Sequence, residues 1–391
     1  MKSRVYWLHA PIITGLIFGL MWVFSLLPNF DFIDPLSTAL KDFELTDIVF
    51  SHHAFNKNEQ ADTNIVIVNI GKLSRPEIGT MIRRLNAHRP KVIGIDAFFR
   101  KEKGPELDTT LANALQEADG KVVLVEELAN YDEKTGVFDT ILTSASIFTQ
   151  HCIGAYANVY NEEYSDFRTV RKFVPIQSVR GQTYPAFPVK ICEIVNPKAV
   201  EKLYERKNEI ERINYRGNLE KFYTLDVPDM FNPDVDISFV KDKIVLIGFI
   251  NMDSVGRSNE DIFFTPLNQR FAGKTFPDMY GIVIHANTIS TILSGQYIDT
   301  MPEFLSWLIA IAFGYANVLL FSYIYLKYDN FYDLVIRILQ VAESLVLLYL
   351  TILIFYEFDY ELNLLLAFSV ALLGGDVLDM YFGILKARKL L

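Results

Sequence analysis

Apolar positions along the chain fall into long runs and short runs. The long ones carry little or no charge. Ala10 to Leu27 and Phe304 to Leu326 are uncharged. Leu334 to Tyr356 holds Arg337 near its start and Glu343 inside, and Leu362 to Leu385 holds Asp376 and Asp379. Each is long enough for a helix to cross a hydrocarbon layer of about 30 Å. The chain therefore divides into a terminus over 1–9, a span over 10–27, a polar region over 28–302, spans over 303–326, 334–356 and 362–385, and a tail over 386–391.

The short runs lie in the polar region and alternate in kind. Asn64 to Ile70, closed by Gly71, reads as a strand buried on both faces. Ile78, Met81, Ile82 and Leu85 recur at helical spacing until His88-Arg89-Pro90 stops them. Val92 to Ile95 is a second apolar strand running into Asp96. Leu107 to Ala118 is a second helix, and Val122 to Val125 is a third strand followed by Glu126 and Glu127. Ile244 to Ile247, stopped by Gly248, is a late strand. Gly281 to Gly295 is a helix with a glycine C-terminal signal. Between them the pattern predicts a helix over Leu36–Phe50 and a strand over Cys152–Tyr160. It also predicts a hairpin turning at Gly181-Gln182, helices over Pro188–Val195 and Ala199–Arg206, and a short strand over Ile213–Tyr215. Strands alternating with helices predict an α/β domain, with a mostly parallel mixed sheet flanked by helices. It sits between one N-terminal and three C-terminal transmembrane helices.

Composition sharpens this in three ways. Apolar residues make up 51% of the chain and aromatics 14%, as expected with membrane segments. The net charge of −10 leaves no basic surface, which argues against nucleic acid. Lys and Arg flank the spans asymmetrically. Lys2 and Arg4 precede the first, Lys327 and Arg337 bracket the turn between the second and third, and Lys386, Arg388 and Lys389 follow the fourth. The turn Glu357-Phe358-Asp359-Tyr360-Glu361 has no basic residue. The positive-inside rule then puts both termini in the cytoplasm and the polar region outside. No small-x-small cleavage site follows the first span, so it reads as an uncleaved anchor. An oxidising compartment would permit a disulfide between Cys152 and Cys192, the alternative being two buried thiols.

Candidate chemistry is sparse. Asp96 ends a buried strand, where ligands of open α/β sheets bind, and Asn69, Glu126 and Glu127 end other strands. The alternative for each is a turn cap. Asp253, Glu260 and Asp261 form an acidic loop without calcium-loop spacing. His285 and Asn287 start the last helix of the domain, and Arg216 suits a carboxylate partner. Adjacent His52 and His53 point in different directions and do not share a metal. Glu343, Asp376 and Asp379 are acids at membrane depth. Glu343 and Asp376 lie roughly a dozen ångströms from the cytoplasmic ends of their helices at about 1.5 Å rise. They mark either a proton or ion path or polar contacts between helices. Arg337 lies one to two turns from Glu343. No other basic partner is evident, so a protonated carboxyl or a cation from a second subunit is the expectation. Dinucleotide, P-loop, zincin and nucleophile-elbow motifs are missing, so no enzyme, cofactor or metal site is expected.

Several stretches, taken in order, resemble a known family. They are Asn64 to Ile70, Arg89 to Phe99 (RPKVIGIDAFF), Ile213-Asn214-Tyr215-Arg216-Gly217, Lys243 to Gly248 (KIVLIG), Phe264-Thr265-Pro266-Leu267, and Gly281 to Gly295 with its G-x-x-I-H-A-N pattern. Together they resemble the second type of CHASE domain, a sensory extracellular domain associated with cyclases and histidine kinases. Asn69-Ile70-Gly71 departs from the family's usual I-D-G at the first strand. Family members commonly follow the third C-terminal span with a cytoplasmic output domain, whereas this sequence stops at Leu391. The resemblance implies a bacterial inner-membrane sensor whose periplasmic domain binds a ligand or an envelope protein and signals through its three C-terminal helices to a separate partner. The alternatives are a structural subunit of a multi-protein envelope complex and an ion- or proton-conducting subunit. The expected partners are the lipid bilayer, a separate signalling or envelope-complex protein and, as an option, further copies of the chain.

Overall fold

The computed structural model describes residues 2–26, 44–51, 61–132, 134, 136–160, 169–251, 261–268, 276–328 and 331–388. The chain forms two compact units. Residues 50–298 make a sheet unit, and residues 1–49 with 299–391 make a helical unit.

The sheet unit is built on nine strands: β1 Asp62–Asn69, β2 Val92–Asp96, β3 Val122–Asp132, β4 Val137–Leu142, β5 Ile153–Tyr156, β6 Ile176–Val179, β7 Gln182–Pro185, β8 Phe222–Leu225 and β9 Ile244–Gly248. Their order is β8-β1-β9-β2-β3-β4-β6-β7, with β5 also pairing with β3. From β8 to β3, and from β3 to β5, the pairing is parallel. The hairpin partner β4 runs antiparallel to β3. The last strand in sequence, β9, therefore lies between the first two, and β1, β9, β2 and β3 present their carboxyl ends at one edge.

Both faces of this sheet are covered, which is why its central strands hold unbroken apolar runs such as Ile65 to Val68 and Ile244 to Ile247. On one face, Val66, Val68, Ile93, Ile95 and Leu124 pack with helices α2 (Arg75–Ala87) and α3 (Pro105–Glu117). On the other, Ile65, Ile67, Val123 and Leu246 pack with α4 (Phe187–Val195), α5 (Pro197–Glu205) and α6 (Gly281–Ser294). The first of these helices is started by Ser74, whose backbone N–H donates to Glu77 Oε2 at 2.7 Å, with Pro76 in the first turn. The last ends at Gly295, whose φ of 68° suits a residue without a Cβ.

Gly94 sits in the middle of β2 because α4 lies directly upon it. A Cβ there would meet both Ile191 Cδ1 and Phe187 Cζ at 2.7 Å. The Gly94→Ala variant is expected to lose roughly 1.5 kcal/mol, as overpacked cores do. A lower urea midpoint at unchanged slope in the full chain checks this, and an unaltered midpoint contradicts the packing described.

The cysteines are free thiols on opposite faces of the sheet, Cys152 beside the α2–α3 cluster and Cys192 within the α4–α6 cluster. No bridge joins them, since the sheet stands between the two cores. Ile213–Tyr215 is irregular rather than a strand, and only Glu211–Arg212 is extended and paired, with Lys172–Phe173. Of the helix expected over Leu36–Phe50, residues 36–43 lie outside the described residues, and Asp47–Ser51 is helical.

The helical unit holds α1 (Lys2–Ser25), α7 (Glu303–Lys327), α8 (Tyr332–Phe358) and α9 (Leu365–Ala387), all long and apolar enough to cross a membrane. Ile13, Ile17, Val318, Phe321, Val370 and Phe382 form the centre of their packing. Glycines permit the close approaches. A Cβ on Gly314 of α7 would lie 2.9 Å from Val370, and one on Gly375 of α9 would lie 2.5 Å from Ile336 of α8. Ahead of α7, Asp299–Thr300 pairs in parallel with Tyr360–Glu361, the turn between α8 and α9.

Candidate functional site

The carboxyl edge of the sheet meets the first turn of α6. Asp96, the last residue of β2, is in register with Gly248 at the end of β9. Gly248 has no side chain because a Cβ would lie 2.8 Å from Ile282 Cβ. One turn further along α6, His285 faces Asp96, with Nε2 4.0 Å from Oδ2. The imidazole is 6% exposed and packs edge-on against Phe187 at 5.2 Å between centroids. Asp261 completes the group. Its carbonyl accepts from Gly281 N at 3.1 Å, and its carboxylate occupies space that a Cβ on Gly281 would enter, 2.6 Å from Oδ1.

Burial sets the charge state of this group. It is the main cause that pushes the Asp96 carboxyl up to about 8, and the charge of Asp261 is the second. Burial also pushes Asp261 up to about 6 and His285 down to about 4. These shifts favour the uncharged imidazole and the protonated Asp96 carboxyl. His285 also lines a cavity of about 20 Å³ with Tyr156, Asn158, Lys172 and Thr288, which is room for about one water.

The other residues singled out in the sequence lie elsewhere. Asn69 joins three loops. Its Oδ1 accepts from Gly71 N and Ile250 N at 2.9 Å each, and its Nδ2 donates to Asp226 at 2.8 Å. Glu126 turns toward β5, where its carboxylate lies over Gly154, and burial raises it above the ordinary range. Glu127 is ion-paired with Arg100. Asp253 and Glu260, like His52 and His53, lie outside the described residues.

Asn287 is fully buried, and its amide is filled from within the fold. Oδ1 accepts from Arg216 N at 2.8 Å and Gly217 N at 3.4 Å, and Nδ2 donates to Gly217 O at 3.0 Å and Val283 O at 2.9 Å. One turn on, Thr291 Oγ1 accepts from Asn214 N at 3.1 Å. The Ile213–Gly217 stretch is thereby laid along α6. The Arg216 guanidinium stands 3.9 Å from Asp62, which also accepts from Ser290 Oγ at 2.7 Å.

Asp278 was not evident from the sequence. It accepts from Thr265 N at 2.8 Å and Thr265 Oγ1 at 2.5 Å, tying the Phe264–Leu267 stretch to the residues leading into α6. Burial outweighs these bonds and pushes its carboxyl up to about 6. The sequence signal was a lone Asp two residues before Tyr280-Gly281, indistinguishable from a loop acid.

In the helical unit, Glu343 of α8 accepts from Asn317 Nδ2 of α7 at 2.9 Å. The cation beside Asp376 comes from the same chain. Arg337 holds it through two bonds, at 2.5 and 3.2 Å, and also donates to Gln340 Oε1 at 3.1 Å. Gln340 Nε2 in turn donates to the carbonyls of Ala371 at 3.0 Å and Leu372 at 2.8 Å. The antiparallel packing of α8 on α9 creates this pair, which separation along the chain concealed. Asp379, one turn beyond Asp376, is exposed on the bundle.

Among known families, the CHASE2 domain matches residues 33–326. No curated protein and no solved structure matches the chain.

Proposed function

The chain belongs to the CHASE2 domain family, and from that premise we propose that it is a sensor of the bacterial inner membrane. CHASE2 is an extracellular sensory domain rather than a catalytic one, and this chain is a multi-pass membrane protein. In this reading residues 28–302 face the periplasm and both termini the cytoplasm, in line with the basic residues around Lys327 and after Lys386. The edge formed by Asp96, Asp261 and His285 takes up a ligand. A partner protein receives the change through α7, α8 and α9.

One observation carries this reading. After the helix that bears His285, the chain continues through Gln296 to Ile298 into a segment gripped by the membrane helices. Asp299 N donates to Asp359 O at 3.1 Å and Met301 N to Glu361 O at 2.9 Å. Met301 is buried with Leu347 and Leu364. A shift of α6 along the chain therefore acts on the start of α7 and on the α8–α9 turn together, so three helices can respond rather than one.

Thermal unfolding of the full chain in mild detergent, screened against inorganic cations, amines and carboxylic acids, tests the reading. A ligand at ten times its Kd adds roughly 1.4 kcal/mol, which raises the melting temperature of a unit this size by about 3–6 °C. If no compound raises it and a protein partner co-purifies at fixed ratio, the chain is a structural subunit of an envelope complex instead.

A further inference from the structure

Building on the sensor reading, we propose that the ligand taken up at this edge is the proton, bound at the cluster of Asp96, Asp261 and His285 that closes on the first turn of α6. The geometry is that of a proton site. Among the described residues no donor lies within hydrogen-bond distance of the Asp96 carboxyl. Its facing polar group, His285 Nε2, stands off at 4.0 Å, too far for a direct bond. The imidazole is itself nine-tenths buried and has no hydrogen-bond partner among the described residues. Two largely buried polar groups thus face each other without a direct hydrogen bond, the Asp96 side chain 15% exposed and that of His285 7%. A proton needs no cavity, and the space beside His285 admits about one water.

The third member gives the site its sense of direction. Asp261 lies against the N-terminus of a fourteen-residue helix, whose partial positive charge favours the ionised form. Neighbouring carboxyls do not both ionise cheaply, so the more exposed Asp261 holds the charge and Asp96 the proton. Among the described residues, Lys172 lines the small cavity beside His285, and the elements that flank Asp96 offer no counter-charge. On β9 the residue beside Asp96 is Gly248. Glu126 of β3 is turned toward Gly154, and after β2 Arg100 is engaged by Glu127. On α4, Lys190 is paired with Glu193 at 2.6 Å. On α6, His285 is the sole titratable residue. When Asp96 loses its proton, a second negative charge appears beside Asp261, and no cation among the described residues is paired with either carboxyl. Displacing the first turn of α6 relieves the repulsion, and that helix leads into the segment held by Asp359 and Glu361.

The protein carries its own reporter. All three tryptophans, Trp7, Trp22 and Trp307, lie in the helical unit and none in residues 50–298. Tryptophan emission of the full chain in lipid nanodiscs, followed from about pH 5 to about pH 9, reads the membrane helices while the titrating cluster sits in the sheet unit. Wild type is expected to show a transition between roughly pH 6 and pH 8, the range spanned by the two carboxyls. Asp96→Asn, an uncharged isostere of the protonated acid, should lose the transition and keep the acid-side spectrum throughout. Asp261→Asn removes the neighbouring charge and should move the midpoint to lower pH. Far-UV circular dichroism confirms that both variants are folded. A transition that persists unchanged in both overturns the proposal, because a group outside the cluster then accounts for it. A wild-type spectrum flat with pH also overturns it. In that event Asp96→Glu, which forces a methylene into the packed site, separates two cases. Emission altered by that variant leaves the sensor reading standing with another ligand, whereas unaltered emission removes the sensor reading as well.

Discussion

Replacing Asn287 with leucine is expected to lower the stability of the sheet unit by about 4 kcal/mol, the largest loss from any single substitution considered. Leucine matches asparagine in branching and in number of side-chain heavy atoms, so no cavity opens and the cost comes mainly from hydrogen bonds. It strands the N–H groups of Arg216 and Gly217 and the carbonyl of Gly217, which now point at the Asn287 amide. Each buried backbone group left without a partner costs roughly 1–3 kcal/mol. Three of them, less some relaxation, give the figure stated, a large part of the about 5–15 kcal/mol that holds a typical domain together. The Ile213–Gly217 stretch should come away from α6 first. Urea unfolding of the full chain by far-UV circular dichroism measures the loss. Hydrogen exchange at Arg216 and Gly217 should rise well ahead of exchange in β1 or β9. A loss below about 1 kcal/mol would mean that this amide does not hold the stretch in place.

That role could not be read from sequence, and the reason is geometric. His285 and Asn287 are two residues apart on one helix, so they point in different directions. One faces the sheet edge and Asp96, the other the Ile213–Gly217 stretch. Ile-Asn-Tyr alternates as a strand does, which predicted a strand there. Its backbone groups instead go to Asn287 and Thr291, and no ladder forms. The central strands were legible because burial on both faces leaves an unbroken apolar run, as in Ile244 to Ile247. Their order was not, since nothing in β9 records that it inserts between β1 and β2. The strands β4 and β8 escaped notice because Val137–Leu142 and Phe222–Leu225 are short and mix polar with apolar positions. At the site, Asp96 was legible from its place at a strand end. Asp261 drew notice only as one acid of a loop, because its partner is the N-terminus of a helix twenty residues on. The Arg337–Asp376 pair needed the antiparallel meeting of α8 and α9 before either charge had a neighbour.

The second large effect is a pH profile. The melting temperature of the sheet unit is expected to fall as pH rises from about 6.5 to about 8, and Asp96→Asn is expected to abolish that part of the fall. The sign follows from proton uptake. Asp96 is held above its unfolded value of 3.8 by burial and then by Asp261. Between the two values the folded chain binds a proton that the unfolded chain does not. Its contribution is complete below the unfolded value and is lost as pH climbs through the folded one. His285 acts in the opposite sense. Its folded value lies near 4, below the ordinary 6.5, so stability rises with pH across that interval. Asp261 and Asp278, both raised by burial to about 6, lose most of their contributions by about pH 7. Towards pH 8, therefore, Asp96 dominates the titration of these four. One proton corresponds to about 1.4 kcal/mol per pH unit, so the window holds about 2 kcal/mol, or roughly 4–8 °C for a unit of this size. Comparing variant with wild type at each pH cancels the other titrating groups. The difference between them should be small near pH 4 and grow steadily in favour of the variant up to about pH 8. Parallel profiles across that range would show that the Asp96 carboxyl is already ionised in the folded chain, with a partner that neutralises it.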